Sequence, residues 1–261
     1  MINAINQEVT LTNDSIKAIA DRHLGIGCDQ LLMVEASPID DCDFRYRIFN
    51  SDGSEVEQCG NGARCFARFV VDQGLTEKTE IPVLTAGGRI VLNLREDGQV
   101  TVDMGMPQLI PADIPLAIGK QQVRYTHALA EQGEVEFSAV SMGNPHAVLL
   151  VEDVDTAEVD AIGREFQTDD VFPQQVNVGF MQIIDRQQVR LRVFERGVGE
   201  TMACGTGACA AIVAGRLLGL LDPSVTVILP AGKLEIHWMG ENYPVMMTGP
   251  VATVFHGTIK I

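Results

Sequence analysis

Residues 45–63 read RYRIFNSDGSEVEQCGNGA, and residues 190–208 read RLRVFERGVGETMACGTGA. With Cys59 laid over Cys204, the two stretches share eight identities and one apolar match in 19 positions, in the pattern R-x-R-[IV]-F-x5-E-x3-C-G-x-G-A. A match of that length inside one chain marks a duplicated unit, and a duplicated unit predicts two similar domains.

The local pattern says what the unit is. Arg45–Phe49 and Arg190–Phe194 alternate polar and apolar residues, as half-buried strands do. After Cys59, the residues Ala63, Phe66, Ala67, Val70 and Val71 recur at helical spacing. Arg64 and Arg68 lie off that stripe, and Gly74 is the stop. From Ala208 to Leu218 the chain is apolar almost all round, the mark of a helix buried within a domain. Each Cys-Gly-x-Gly is therefore predicted in a turn between a strand and the start of a core helix.

Strands dominate the rest. Ile90–Leu94 and Val100–Met104 flank Asp97-Gly98, a hairpin signal. Gly179–Ile184 and Val189–Phe194 flank a turn at 185–188, and Leu234–Trp238 and Val245–Met247 flank residues 240–242. Three prolines within 106–115 mark an interdomain crossing. The expected fold is α+β, with two similar pseudo-symmetric domains, each a strand-rich sheet wrapped around a central helix.

Composition narrows the function. The 261 residues, 46% hydrophobic, can fill one large core or two ordinary ones. A formal charge of −16 argues against nucleic acid as a partner, because phosphates need Lys and Arg. No apolar run approaches the roughly 20 residues that cross a bilayer. The opening residues lack the basic head and cleavage site of an export signal, so a cytoplasmic location is expected. Six cysteines are too sparse for a disulfide scaffold and lack the close pairs that hold zinc, so free thiols and no metal are expected. There is no Rossmann glycine pattern and no P-loop, and no lysine has a context that marks a pyridoxal site. The expected cofactor is none.

The duplicated cysteines carry the chemistry. A thiol has a pKa of about 8.5 in water, and at a helix N-terminus it can fall to roughly 3.5–7.5. Unpaired backbone N–H groups and the positive end of the helix dipole are the cause. Glycines beside the cysteine let an anion reach those N–H groups, so a substrate carboxylate would dock next to a base. One such site could be a nucleophile. Two related by duplication suit inversion of a stereocentre, with a base on one face of the carbon and a proton donor on the other.

The same residues resemble the diaminopimelate epimerases, over nearly the whole chain. The blocks are HLGIGCDQLL (23–32), FNSDGSEVEQCGNGARCFARF (49–69), SMGNPHAV (141–148), NVGFMQI (177–183) and ERGVGETMACGTGACAA (195–211). The resemblance implies cofactor-independent interconversion of LL- and meso-diaminopimelate, in lysine and peptidoglycan precursor biosynthesis, by a homodimer. It implies that Cys59 gives the proton and Cys204 takes it, with the roles exchanged in reverse. The reacting carboxylate would sit on the backbone of Gly60-Asn61 and Gly205-Thr206. Gln30, Asn50, Asn144, Asn177, Glu195 and Arg196 would read the rest of the substrate, and His146 and Glu195 would tune the thiols. It divides the chain into 1–104 with 249–261, and 105–248. It also implies a strand and a Gly-Asn-Asp-Phe-like turn ahead of Met1, with one further substrate-contacting asparagine.

Plainer readings exist for each residue. Cysteine is often simply core, and Cys28, Cys42, Cys65 and Cys209 are read that way. Asn50, Asn144 and Asn177 could form turns, Glu195 and Arg196 a solvated pair. The strand arginines Arg45, Arg47, Arg190 and Arg192 are read as structural, holding the strand against Glu55 and Glu200. The nearest rival function is a proline or hydroxyproline racemase of the same fold. A thiol hydrolase would want a histidine partner and gives no reason to duplicate the cysteine, and a carboxylate-binding protein without chemistry would leave the α-proton in place.

Overall fold

The computed structural model describes residues 1–56 and 60–260. The chain divides into two compact units, Met1–Asp103 with Gly249–Ile261, and Met104–Thr248.

The first unit contains β1 (Ile2–Asn3), α1 (Asn13–Ala20), β2 (Gln30–Ala36), β3 (Phe44–Asn50), β4 (Glu55–Val56), α2 (Gly60–Asp72), β5 (Glu80–Thr85), β6 (Gly88–Leu94) and β7 (Val100–Asp103). Its sheet runs β1-β2-β3-β5-β6-β7, with β4 laid on β3. Helix α1 opens on a capping box in which Thr12 and Ser15 each satisfy the other's backbone N–H. Helix α2 packs on β2, β6 and β7. Its stripe of Ala63, Phe66, Ala67 and Val70 is fully buried, and the Phe66 ring lies 4.7 Å from that of Tyr46 on β3. Gly74 ends the helix at φ +66°, a conformation that suits glycine. Residues 250–260 form no helix or strand.

The second unit contains β8 (Tyr125–Leu129), β9 (Gly133–Ser141), β10 (Pro145–Leu150), α3 (Val159–Thr168), β11 (Asn177–Asp185), β12 (Gln188–Glu195), β13 (Gly199–Thr201), α4 (Gly205–Leu217), β14 (Ser224–Leu229), β15 (Gly232–His237) and β16 (Met246–Gly249). The strand order is β8-β9-β10-β11-β12-β14-β15-β16, with β13 laid on β12. Helix α4 touches β9, β10, β11, β12 and β15, and every residue from Gly207 to Gly215 is buried. The sheet thus surrounds its helix, which is why that stretch needs no polar face.

The duplication is visible strand by strand. In β2-β3-β4-α2-β5-β6 the pairings are antiparallel for β2–β3, β3–β4 and β5–β6 and parallel for β3–β5. In β11-β12-β13-α4-β14-β15 they have the same senses in the same order. Leu31 stands opposite Phe49 as Val178 stands opposite Phe194. One residue further out, Gln30 and Asn50 in the first unit correspond to Asn177 and Glu195 in the second.

One expectation is corrected. Arg64, placed off the buried stripe by helical spacing, is itself buried at 8% exposure. Its guanidinium folds back along α2, where Nη2 donates to Asn61 Oδ1 at 3.0 Å and Nη1 approaches the Gly60 carbonyl at 3.5 Å. A long side chain can reach a buried acceptor that its Cβ does not face.

Candidate active site

In the second unit the chain leaves β12 at Glu195 and turns through Gly197 and Gly199, both at positive φ. It returns along β13 and reaches Cys204. Cys204 caps α4 in extended conformation (φ −125°, ψ 110°), and its carbonyl accepts the first helical bond, from Ala208 N, at 3.0 Å. The N–H groups of Gly205 and Thr206 therefore lie in the first turn, where no carbonyl of the helix can reach them. The thiol is 5% exposed.

The Cys204 thiol departs from its expected charge state. Burial, and after it the negative charge of Glu195, push it up to about 12, so it is held protonated. The Thr206 hydroxyl and the Gly207 backbone N–H pull the other way and are outweighed. The expectation of a depressed thiol counted only the helix N-terminus. It left out the desolvation of a charge in an apolar setting and a carboxylate brought in by β12.

Beside Cys204, three polar residues, Thr206, Asn144 and His146, form one bonded chain. Thr206 Oγ1 stands 3.6 Å from Cys204 Sγ and accepts from Asn144 Nδ2 at 3.3 Å. Asn144 Oδ1 in turn contacts His146 Nε2 at 3.1 Å. His146 is 1% exposed, and burial, with the Arg196 charge adding, lowers it from 6.5 to about 3. It is neutral at pH 7, so it acts on its neighbours through hydrogen bonds and not as a cation. Asn177 is engaged on both sides of its amide: Oδ1 accepts from Arg196 N at 2.9 Å, and Nδ2 donates to Pro145 O at 3.1 Å. The Arg196 side chain is exposed and donates to the Gln174 carbonyl at 3.2 Å.

In the first unit, Gln30 Nε2 donates to Asn50 Oδ1 at 3.1 Å, and Asn50 Nδ2 to Ser54 Oγ at 3.2 Å. Gly60 and Asn61 open α2. Cys59, the first candidate acid–base group, lies outside the described residues, as do Glu57 and Gln58.

The second glycine of each Cys-Gly-x-Gly has a packing reason that the sequence did not disclose. A Cβ at Gly62 would stand 2.3 Å from Tyr46 Oη, and one at Gly207 only 3.1 Å from Val193 Cγ2 and 3.3 Å from Cys204 Sγ. Sequence reasoning also missed Thr201, whose Oγ1 donates to Glu195 Oε1 at 2.5 Å. It took Thr206 for its backbone alone. Neither hydroxyl stands out in sequence, although Thr201 lies two residues past the turn that brings β13 back against Glu195.

Among the described residues, no helix is long and apolar enough to cross a membrane. The family model for diaminopimelate epimerase matches residues 1–110 and 138–254. Over 261 residues the chain is 56% identical to a diaminopimelate epimerase of Teredinibacter turnerae and 57% identical to one of an Azoarcus species, covering 100% of this chain and 94% of each relative. Among solved structures it is similar to a hydroxyproline epimerase from Agrobacterium vitis. That likeness has a TM-score of 0.62 at 17% identity, over 90% of this chain and 77% of the other, and it speaks to fold alone.

Proposed function

The chain belongs to the diaminopimelate epimerase family, and on that premise we propose that Cys59 and Cys204 are the acid–base pair with which it inverts an α-carbon of diaminopimelate. One observation carries the reading. A duplicated strand–arm–helix unit ends in a cysteine at the N-cap of α4, and the same sequence carries Cys59 to the residue before α2.

The resemblance has Cys59 give the proton and Cys204 take it, and a protonated Cys204 suits the exchanged roles, with Cys204 as donor. It gives its proton to one face of the carbanion after Cys59, as thiolate, has removed the α-proton from the other. In the opposite direction Cys204 must first be ionised, and a substrate α-ammonium drawn to Glu195 would offset the charge that now opposes this. The substrate carboxylate, on the N–H groups of Gly205-Thr206 and Gly60-Asn61, spreads the developing charge. Gln30, Asn50, Asn144, Asn177 and Arg196 are proposed to read the remaining polar groups, with His146 acting through Asn144. No cofactor is assigned to the reaction.

The test is a stereochemical assay with LL-diaminopimelate in deuterated water under reducing conditions, with L-proline as the competing substrate. Deuterium entering the α-position of diaminopimelate, and its loss in both Cys59→Ala and Cys204→Ala, is expected. Full turnover by either variant, or preference for proline, sinks the reading. Among the described residues, Cys28, Cys42, Cys65 and Cys204 are free thiols, which supports a cytoplasmic setting. A homodimer is proposed from the family, and sedimentation equilibrium checks it.

A further inference from the structure

Each cysteine follows, four residues later, a glutamate held by a strand arginine two residues before the strand's phenylalanine. In the first unit Arg47 Nε and Nη2 donate to the two oxygens of Glu55, both at 2.8 Å. In the second, Arg192 Nε and Nη2 donate to the two oxygens of Glu200, at 2.6 and 2.7 Å. The third nitrogen is also engaged in both. Arg47 Nη1 reaches Glu35 Oε1 on β2 at 3.5 Å, and Arg192 Nη1 donates to the Val154 carbonyl at 2.6 Å. Two planar, two-pronged ion pairs therefore occupy equivalent positions in the duplicated units.

Besides the Thr201–Glu195 bond and one from Ala231 N to the Met202 carbonyl in the second unit, the arms they hold rest on short strand pairing. β4 pairs with β3 through two residues and β13 with β12 through three. Ribbons that short are marginal by themselves. Both pairs are partly exposed, with side-chain exposures of 27% and 35% in one and 24% and 33% in the other. Such pairs add little to global stability. Their effect falls on position, since each guanidinium ties the arm to its own strand and to a second segment at once.

We propose that Arg192–Glu200 is a positioning pair that sets the Cys204-bearing turn, and that Arg47–Glu55, which holds β4 in the same way, is its counterpart in the first unit. This rests on the two-thiol reading. Three residues of chain separate each glutamate from its cysteine, so an arm released at Glu200 carries the Cys204 sulfur with it. A displacement of about 1 Å at a reacting group costs up to roughly a hundredfold in rate.

The test compares Glu200→Ala, Glu200→Gln and Glu55→Ala with Cys204→Ala in the full chain. The expected result is a kcat lowered about tenfold to a hundredfold by each alanine variant, with KM within about twofold. Glu200→Gln keeps the shape of the pair and should fall between Glu200→Ala and the unaltered chain, which keeps the test alive if the alanine variant folds poorly. Melting temperature should hold within about 4 °C. Alkylation of Cys204 by iodoacetamide, followed by peptide mapping, should quicken in Glu200→Ala as the thiol leaves its buried seat. If Cys204→Ala is inactive while both alanine variants keep kcat within about twofold, the positioning pairs are refuted and the two-thiol reading stands. If Cys204→Ala is active, both fall. A loss of kcat matched by a collapse in melting temperature makes the pairs supports of the fold and overturns the proposal.

Discussion

Asn144 Nδ2 donates to Thr206 Oγ1 at 3.3 Å, across 62 residues of sequence. That bond ties the loop before β10 to the first turn of α4, and Thr206 passes the connection to Cys204. The thiol is thereby embedded in a bonded network rather than resting on a helix end alone.

The Thr206 hydroxyl is a specific target. It favours the thiolate of Cys204, and a hydrogen bond to a charged group is worth about 1.5–3 kcal/mol. Thr206→Val should slow alkylation of Cys204 at a fixed pH by roughly tenfold or more, while Thr206→Ser should stay near the unaltered rate. Equal rates for Val and Ser would remove the hydroxyl from the account.

Glu195 acts in the opposite sense. Its charge helps hold Cys204 protonated, so Glu195→Gln should move the midpoint of the alkylation–pH curve below the value of about 12. Turnover should fall all the same, because the proposed contact to the α-ammonium goes with the charge. A midpoint that stays in place, or rises, contradicts the electrostatic assignment.

His146 predicts an acid-sensitive stability. Its folded pKa, about 3, lies below the ordinary 6.5, so the unfolded chain takes up a proton first as pH drops. The stabilisation is present above 6.5 and is lost as pH falls toward 3, at a slope approaching about 1.4 kcal/mol per pH unit. Urea unfolding at pH 7 and pH 5.5 measures it, and His146→Gln should flatten the difference.

Gly62 is a packing position. An added methyl would meet Tyr46 Oη at 2.3 Å and Leu32 Cδ1 at 3.2 Å. Gly62→Ala should destabilise by about 1–3 kcal/mol, read as a lower midpoint in chemical denaturation. Gly74→Asn, in open space at positive φ, should cost far less.

Legibility in the sequence followed the range of the forces. β3, β12, α2, α4 and the Asp97-Gly98 hairpin could be read because alternation, helical spacing and a turn glycine are local signals. Both α1 and α3 went unread: their eight and ten residues are too few for a periodic stripe to stand out. Arg64 misled because a charged residue at a helical flank gives no hint of where a flexible chain will curl. In the candidate site, residue types could be chosen from the repeat and the family resemblance, but not the charge on Cys204. That depends on burial and on the carboxylate of Glu195, which only the folded hairpin of β12 and β13 delivers.

The register match sets Asn50 in one repeat where Glu195 stands in the other. Two copies of a single half-length polypeptide, related by a two-fold axis, would have to bear the same side chain at both places. A single chain that carries both repeats is free of that constraint, and here it has an amide in one and an acid in the other. The charge that helps hold the Cys204 thiol protonated is therefore one that a strictly symmetric pair of subunits could not confine to a single side.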